Sequence, residues 1–383
     1  MKILLDGSSA IIGTRAIKRY TIALIREFVL LNLKDEFKIL LNYFKGDSEV
    51  IDFLINEKST FSKIHFPIPR RFSLPLWNNF SFPPIDLFTG KVDIFHSLGD
   101  DCPPVKSAKY VITLHGVTYL EVPELMNPNY VRAKTAWLYK MAKRADFFVS
   151  VSEYTKIYFL KYFPDIEPDR IKVIPLGVDE QFRVIEKNIV KKKLSERYKI
   201  KNPYVLFIGG IEPRKNVKNV IKGFHEISDK YSELSLVLVG GAKNDYLSSL
   251  EKMISTLGLD KKIKFIGYVE QGTDDLTLLY NGAECFVYAS FSEGWTSPPL
   301  EAMACGIPVV ASNSSSLPET VGNAALLVNP KSYNEIGAAL EKLIIDSDLR
   351  KNLIINGLHH VSRFTWKRCA EETYSFYKNI VES

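Results

Sequence analysis

The sequence predicts an α/β protein made of two doubly wound, Rossmann-like parallel sheets, each covered by helices on both faces. Three observations carry that expectation. Short apolar or β-branched runs alternate with longer segments of helical spacing, the pattern of strands joined by crossover helices. The runs are apolar enough for strands buried on both faces. At 383 residues the chain exceeds one ordinary domain, and its runs fall into two series.

The first series is KILLD (2–6), FKILLNY (37–43), VDIFHSL (92–98), YVITLHG (110–116), FFVSVS (147–152) and KVIPLG (172–177). Helical spacing separates the runs, as from Tyr20 to Leu33. The second series is YVLFIGG (204–210), SLVLVGG (235–241), IKFIGY (263–268), CFVYAS (285–290), PVVAS (308–312) and ALLVN (325–329). Between them lies a stretch with Lys191, Lys192 and Lys193 that suits a solvated helical connector. The expected domains are therefore 1–180 and 181–364, facing each other across a cleft. FTWKRCAEETYSFYKNIV (364–381) has the spacing of an amphipathic helix with Trp366, Tyr374 and Tyr377 on it, so residues 365–383 form a closing helix.

Composition excludes several classes. With 46% hydrophobic and 25% charged residues, the chain is globular and can bury two cores. Its formal charge of +6 suits anionic ligands or an anionic membrane surface. No dense basic face with interleaved aromatics appears, so nucleic acid is not an expected partner. Cys102, Cys285, Cys305 and Cys369 have neither disulfide nor metal spacing and read as reduced thiols. MKILLDGSS is a strand that stops at Asp6, not a secretion signal, and no uncharged apolar stretch approaches the ~20 residues that span a bilayer. The expected location is cytoplasmic, with peripheral contact to the inner membrane face left open.

Ligands of doubly wound sheets bind beyond the carboxyl ends of the strands, and the unusual residues fall there. In FSEGWTSPPLEAMACGIPVV (291–310), Ser297 is a candidate N-cap and Pro298 and Pro299 suit a first helical turn. Glu293 lies in the loop and Glu301 in that first turn, so they are not a stacked acid/base pair. A glycine loop before a helix start offers amides to an anion, and carboxylates accept from sugar hydroxyls. The pattern suits a ligand with phosphate in the middle and hydroxylated rings on both sides. IGGIEPRKN (208–216) places Arg214 and Lys215 after a Gly pair, at a helix entrance that again favours phosphate. KFIGYVE (264–270) could offer backbone to a base edge. VITLHG puts His115 at a strand end, where a buried structural histidine is the alternative. DGSSAIIGTRAIKRYT (6–21) is not a G-x-G-x-x-G fingerprint, so a dinucleotide oxidoreductase is poorly supported.

SEGWTSPPLEAMACGIPVVASNSSSLPETVGNAALLVNP (292–330) resembles the signature of glycosyltransferase family 4, retaining enzymes of the two-lobed GT-B fold. GGIEPRKN, VSEYTK, IPLGVD and FTWKRCAEETYSFY resemble the family as well. The resemblance implies that the closing helix crosses back to the first domain. It implies that Glu293 bonds the donor sugar, with Gly294, Trp295, Thr296 and Ser297 around sugar and phosphate. Glu301 would take the ribose hydroxyls, and Lys215, with Arg214, the leaving diphosphate. Gly209 and Gly210 would lie beside it, the backbone at Tyr268 and Val269 at the base, and His115 at the reacting carbon. It further implies front-face transfer with the leaving diphosphate helping to take the acceptor proton, without metal or cofactor. The donor is a nucleotide-diphosphate sugar.

Departures cluster around the diphosphate. Gly210 stands where many members carry Arg, Ala16 and Lys18 where glycines are usual after Gly13, Thr296 at a frequent Gly, and Gly116 where Asp often follows the histidine. Lys18 or Arg15 is the expected replacement charge. The likeness to bacterial mannosyl-type members makes GDP-mannose the first expected donor, with UDP-glucose, UDP-N-acetylglucosamine and rhamnosyl or fucosyl donors open. FPIPRRFSLPLWNNFSFPP (66–84) is a basic-aromatic patch that suits a saccharide acceptor linked to polyprenyl diphosphate, or else a packing loop. An epimerase or phosphorylase of the same scaffold, and a non-catalytic partner subunit, are the alternative functions.

Overall fold

The computed structural model describes residues 1–42, 49–55, 59–242, 244–270 and 273–382. Tyr43, the last residue of FKILLNY, lies outside them. The chain divides into two compact units. Unit 1 comprises Met1–Val117, Arg132–Gly177 and Trp366–Ser383; unit 2 comprises Thr118–Val131 and Val178–Thr365. Residues 118–131, within the 1–180 expectation, thus pack with unit 2.

Unit 1 holds seven strands: β1 (Lys2–Asp6), β2 (Glu36–Leu41), β3 (Phe61–His65), β4 (Ile94–Ser97), β5 (Lys109–Leu114), β6 (Phe147–Ser150) and β7 (Ile171–Val173). They pair in parallel in the order β3-β2-β1-β4-β5-β6-β7. Unit 2 holds β8 (Tyr204–Ile208), β9 (Ser235–Val239), β10 (Ile263–Gly267), β11 (Cys285–Tyr288), β12 (Val309–Ser312) and β13 (Ala325–Val328). Their order is β10-β9-β8-β11-β12-β13, again all parallel. Every residue of β8 and β11 is buried, as strands covered on both faces require. Each sheet reverses direction of growth once, at β1/β4 and at β8/β11. Loops leaving those neighbouring strands part in opposite directions and open a crevice at the carboxyl end.

Helices cover the sheets through stripes of helical period. Val217–Ser228 buries Val217, Val220, Ile221, Phe224 and Ile227. Trp366–Glu382 buries Trp366, Cys369, Ala370, Thr373, Phe376, Tyr377 and Ile380, and with that face it joins unit 1 rather than the unit it follows in sequence. The Lys187–Tyr198 helix fills the expected connector, burying only Val190 and Leu194 and leaving Lys191 and Lys192 exposed.

Two elements depart from the expectation. β3 is a strand the run pattern missed. Its burial is confined to Phe61, so FSKIH has no continuous apolar signal. The basic-aromatic stretch contains a helix, Arg70–Phe80, with Pro75 inside it. Trp77 is buried, donates Nε1–H to Pro83 O at 3.0 Å, and packs on Phe66 at 4.9 Å between ring centroids. Arg70 forks onto Asp101 at 2.7 and 3.1 Å. Those two side chains are committed to the fold, whereas Arg71, Phe72, Phe80 and Phe82 are exposed. Among the described residues no helix is long and apolar enough to cross a membrane.

Candidate functional site

The loops after β8 and β11 meet at the reversal point of unit 2. Arg214 and Lys215 end the first loop in a single 3-10 turn, Pro213–Lys215. The next residue, Asn216, adopts φ 60° and donates Nδ2–H to Ala289 O at 2.8 Å and Pro330 O at 2.6 Å. That side chain ties the start of the Val217–Ser228 helix to the end of β11. The Arg214 carbonyl accepts from Phe291 N–H at 3.0 Å and lies 3.1 Å from Ser290 Oγ, which brings the two loops together.

Glu293 is the hub of this junction. Its Oε1 accepts from Lys215 Nζ at 2.6 Å, from Ser290 Oγ–H at 2.7 Å and from Tyr288 Oη–H at 3.2 Å, while Arg214 lies 2.9 Å from Oε2. Lys215 Nζ also donates to Tyr288 Oη at 2.7 Å, and Arg214 donates to Ser292 O at 2.6 Å and Glu212 at 2.9 Å. Burial alone would raise the Glu293 pKa, but the two adjacent cations and the Lys215 and Ser290 hydrogen bonds overcome it and hold the carboxyl at about 2. Burial would lower the two cations, yet the carboxylate raises both. Glu293, Arg214 and Lys215 therefore stay ionised in a site where their side chains are 7–14% exposed, and the exposed Glu212 carboxylate on Arg214 balances the second cation.

A run of serines holds the loop around this charge. Ser312 Oγ donates to Ser290 O, Ser314 Oγ to Phe291 O, and Ser316 Oγ to Glu293 O, at 2.7, 2.8 and 2.9 Å. Ser315, at φ 55°, accepts Glu293 N–H at 2.9 Å. Backbone groups that a loop would otherwise leave unpaired are thus satisfied by side chains. Ser292 Oγ–H donates to Glu121 of the 118–131 segment.

The remaining expected residues of unit 2 lie on the loops that follow its strands and on the helix after β11. Gly209 lies beside Phe207 and Tyr288, where a Cβ would come within 3.3 Å of both rings. Gly210 has room, since a Cβ there would meet nothing nearer than 3.7 Å. Thr296 is buried and hydrogen-bonds Tyr288. Gly294 is buried in the loop. Trp295 packs on Phe364 at 5.4 Å, and its Nε1–H is buried without a hydrogen-bond partner among the described residues. Ser297 occupies the N-cap position of Pro298–Ala304 but its side chain makes no capping bond, and that helix has seven residues. The arginine and lysine, not this short helix, supply most of the positive potential. Glu301 is buried in the first turn and accepts Tyr280 Oη–H at 2.9 Å. Tyr268 is exposed and Val269 half-buried at the end of β10.

His115, Gly13, Arg15 and Lys18 belong to unit 1. His115 follows β5, and its ring bonds Leu98 O at 2.8 Å through Nε2. A carbonyl only accepts, so Nε2 carries the proton; burial lowers the pKa, and the neutral ring leaves Nδ1 as a lone pair. Gly116 has φ 135°, a conformation that strains any other residue, which explains glycine after the histidine. Gly13 closes the Ser9–Ile12 turn, where a Cβ would lie 2.4 Å from Ser9 O. Arg15 and Lys18 open the Arg15–Leu30 helix and are exposed.

The sequence matches two family profiles: glycosyl transferases group 1 over residues 190–360, and glycosyltransferase family 4 over residues 51–182. It is 30% identical over 279 residues to O-antigen chain mannosyltransferase B of Escherichia coli, covering 72% of this chain and 71% of that one. The chain belongs to glycosyltransferase family 4. The transferase is also 31% identical over 234 residues to O-antigen chain mannosyltransferase RfbU of Salmonella typhimurium, covering 61% of this chain and 60% of that one. It aligns with 32% of the length of the serotype-specific mannosyltransferase WbdA of Escherichia coli, at 29% identity. Its fold superposes on Anabaena HepE in complex with UDP-glucose with a TM-score of 0.74 at 17% identity, covering 99% and 100% of the two chains. Two Rossmann-like units of the GT-B class are the architecture of this glycosyltransferase.

Sequence reasoning missed Tyr288, Ser290, Asn216, Tyr280, Ser315 and Ser316. Only the serine run carried a signal, since four hydroxyl residues after a buried strand are costly unless their groups are used.

Proposed function

We propose that the transferase moves a hexosyl group, mannose from GDP-mannose in the first instance, to a saccharide carried on a lipid diphosphate. The product would enter a cell-surface polysaccharide. The observation that carries this reading is the ion cluster of Glu293 with Arg214 and Lys215 at the reversal point of unit 2. Two buried cations whose carboxylate partners can be exchanged for phosphate are chemically suited to a diphosphate and to the charge that develops as it leaves. Lys215 and Arg214 would pass from Glu293 to the phosphates, Glu293 would turn to the sugar hydroxyls, and Glu301 would bond the ribose. The backbone at Tyr268 and Val269 would meet the base, and the His115 Nδ1 lone pair would accept from a donor-sugar hydroxyl. Retention of configuration would follow from attack on the face the diphosphate leaves, with a phosphate oxygen taking the acceptor proton. The cations supply the electrostatic stabilisation, so no metal is required in this scheme.

Mannose is favoured by the mannosyltransferases among the relatives, and a lipid-linked acceptor by exposed Phe72, Phe80, Phe82 and Arg71 around the Arg70–Phe80 helix. The deciding assay offers GDP-mannose, UDP-glucose and UDP-N-acetylglucosamine with a bacterial lipid extract and resolves the products. A new glycolipid with retained anomeric configuration supports the reading. A free epimer or a sugar phosphate would indicate an epimerase or phosphorylase, and inertness toward every nucleotide sugar a non-catalytic subunit.

A further inference from the structure

Unit 1 contains a line of buried hydrogen bonds that the scheme above does not use. Tyr377, on the C-terminal helix, pairs its hydroxyl with His96 Nδ1. His96 Nε2 lies 2.8 Å from Thr113 Oγ1, which lies 3.0 Å from the Tyr20 hydroxyl. All four side chains are at most 1% exposed. The Tyr20 ring then meets the His115 ring at 81° with centroids 5.0 Å apart.

Burial, and next the neighbouring His115, pushes the His96 pKa down to about 3, so this imidazole is neutral and has one N–H for two bonds. The Tyr377 hydroxyl bonds no other described side chain and donates to Nδ1. Nε2–H is then left to donate to Thr113. The tautomer of His96 is set from the C-terminal helix. His96 also sits on β4, two residues before Leu98, whose carbonyl holds the His115 proton on Nε2. Two routes therefore join the C-terminal helix to His115: one through Thr113 and Tyr20, the other along β4 to Leu98.

We propose that Tyr377 and Tyr20 are positioning residues for His115, through which the C-terminal helix keeps its Nδ1 open and correctly aimed for the donor sugar. This rests on the reading of His115 given above. In a water-free network each bond strengthens the next, and an unpaired member has no solvent to turn to. Removing the Tyr377 hydroxyl would leave His96 Nδ1 without a donor and loosen both routes.

The test compares Tyr377→Phe, Tyr20→Phe and the double variant, each also on a His115→Gln background, by steady-state kinetics and by 15N NMR of the histidine rings. Each single variant is expected to lower kcat about 5- to 50-fold with donor KM within about twofold, as misaimed catalytic groups do. The double variant should be no worse than the poorer single one, and neither tyrosine should matter once His115 is glutamine. The His115 signals should shift toward a mixture of tautomers in Tyr377→Phe. Unchanged kcat in both singles, or an equal further loss on the His115→Gln background, would overturn the proposal. If His115→Gln itself retains full activity, the catalytic reading of the histidine fails. The NMR then judges the coupling separately, because unmoved His115 signals in Tyr377→Phe refute it. Should Tyr377→Phe not fold, Tyr20→Phe retains the Tyr377–His96 bond and carries the same comparison.

Discussion

Glu293→Gln separates the charge of the hub from its shape. The amide keeps the volume but faces Lys215 and Arg214 with no negative charge, leaving Lys215, 14% exposed, without its carboxylate and Arg214, 13% exposed, with only the exposed Glu212 at 2.9 Å. Breaking a buried pair from one side costs about 3–5 kcal/mol. Linkage gives a similar figure. A carboxyl held at about 2 instead of 4.5 contributes about 3 kcal/mol, present above the unfolded pKa and lost as pH falls from about 5 toward 2. A unit of this size would lose about 6–20 °C of Tm. The assay is thermal unfolding of both proteins between pH 2 and 8, with and without a saturating nucleoside diphosphate. The gap should be full at pH 7, shrink below pH 5, and narrow at neutral pH when phosphates replace the missing carboxylate. Turnover should fall while nucleotide affinity holds or improves. Equal stability of the two proteins at pH 7, or a gap that ignores pH, would refute the reasoning.

Other expectations follow from single residues. Asp6 is buried, and burial followed by repulsion from Asp101, against Ser8 hydrogen bonds and Arg70, raises its pKa to about 7. A raised acid costs stability as pH climbs from about 4 to 7, so Asp6→Asn should raise Tm at pH 8 and change little at pH 4, as calorimetry would show. Lys18→Ala should weaken nucleoside diphosphate binding about 10- to 100-fold if Lys18 supplies the missing phosphate charge. Gly210→Arg, for which a Cβ has space, should restore it in a titration. Phe80→Ser with Phe82→Ser should reduce sedimentation with anionic vesicles about tenfold and leave nucleotide affinity unchanged.

Much of the fold was legible because its strands are buried on both faces. A run such as YVLFI or CFVY needs no partner to be recognised. β3 escaped because an edge strand keeps one face wet, and FSKIH reads as a loop. The candidate site was legible where chemistry is local, in SEGWTSPPLE and PRKN. What the sequence could not show is that Arg214 and Lys215 grip Glu293, which lies 78 residues beyond Lys215, in preference to standing open at a helix start. The short Pro298–Ala304 helix likewise gives less to an anion than its prolines suggested. Long-range pairs such as Tyr377 with His96, 281 residues apart, carry no local signature, since both residues read alone as ordinary core aromatics. Arg70 and Trp77 are likewise held by the fold, within a stretch that read either as an acceptor-facing patch or as a packing loop.

Calorimetric titration of GDP, UDP and their monophosphates into the native protein and Lys215→Ala tests the central claim most directly. The expected result is one diphosphate bound well, its monophosphate bound far more weakly, and at least about a tenfold loss of the diphosphate on removing Lys215. A native protein that binds neither diphosphate, or a Lys215→Ala variant that binds as the native one does, would contradict it.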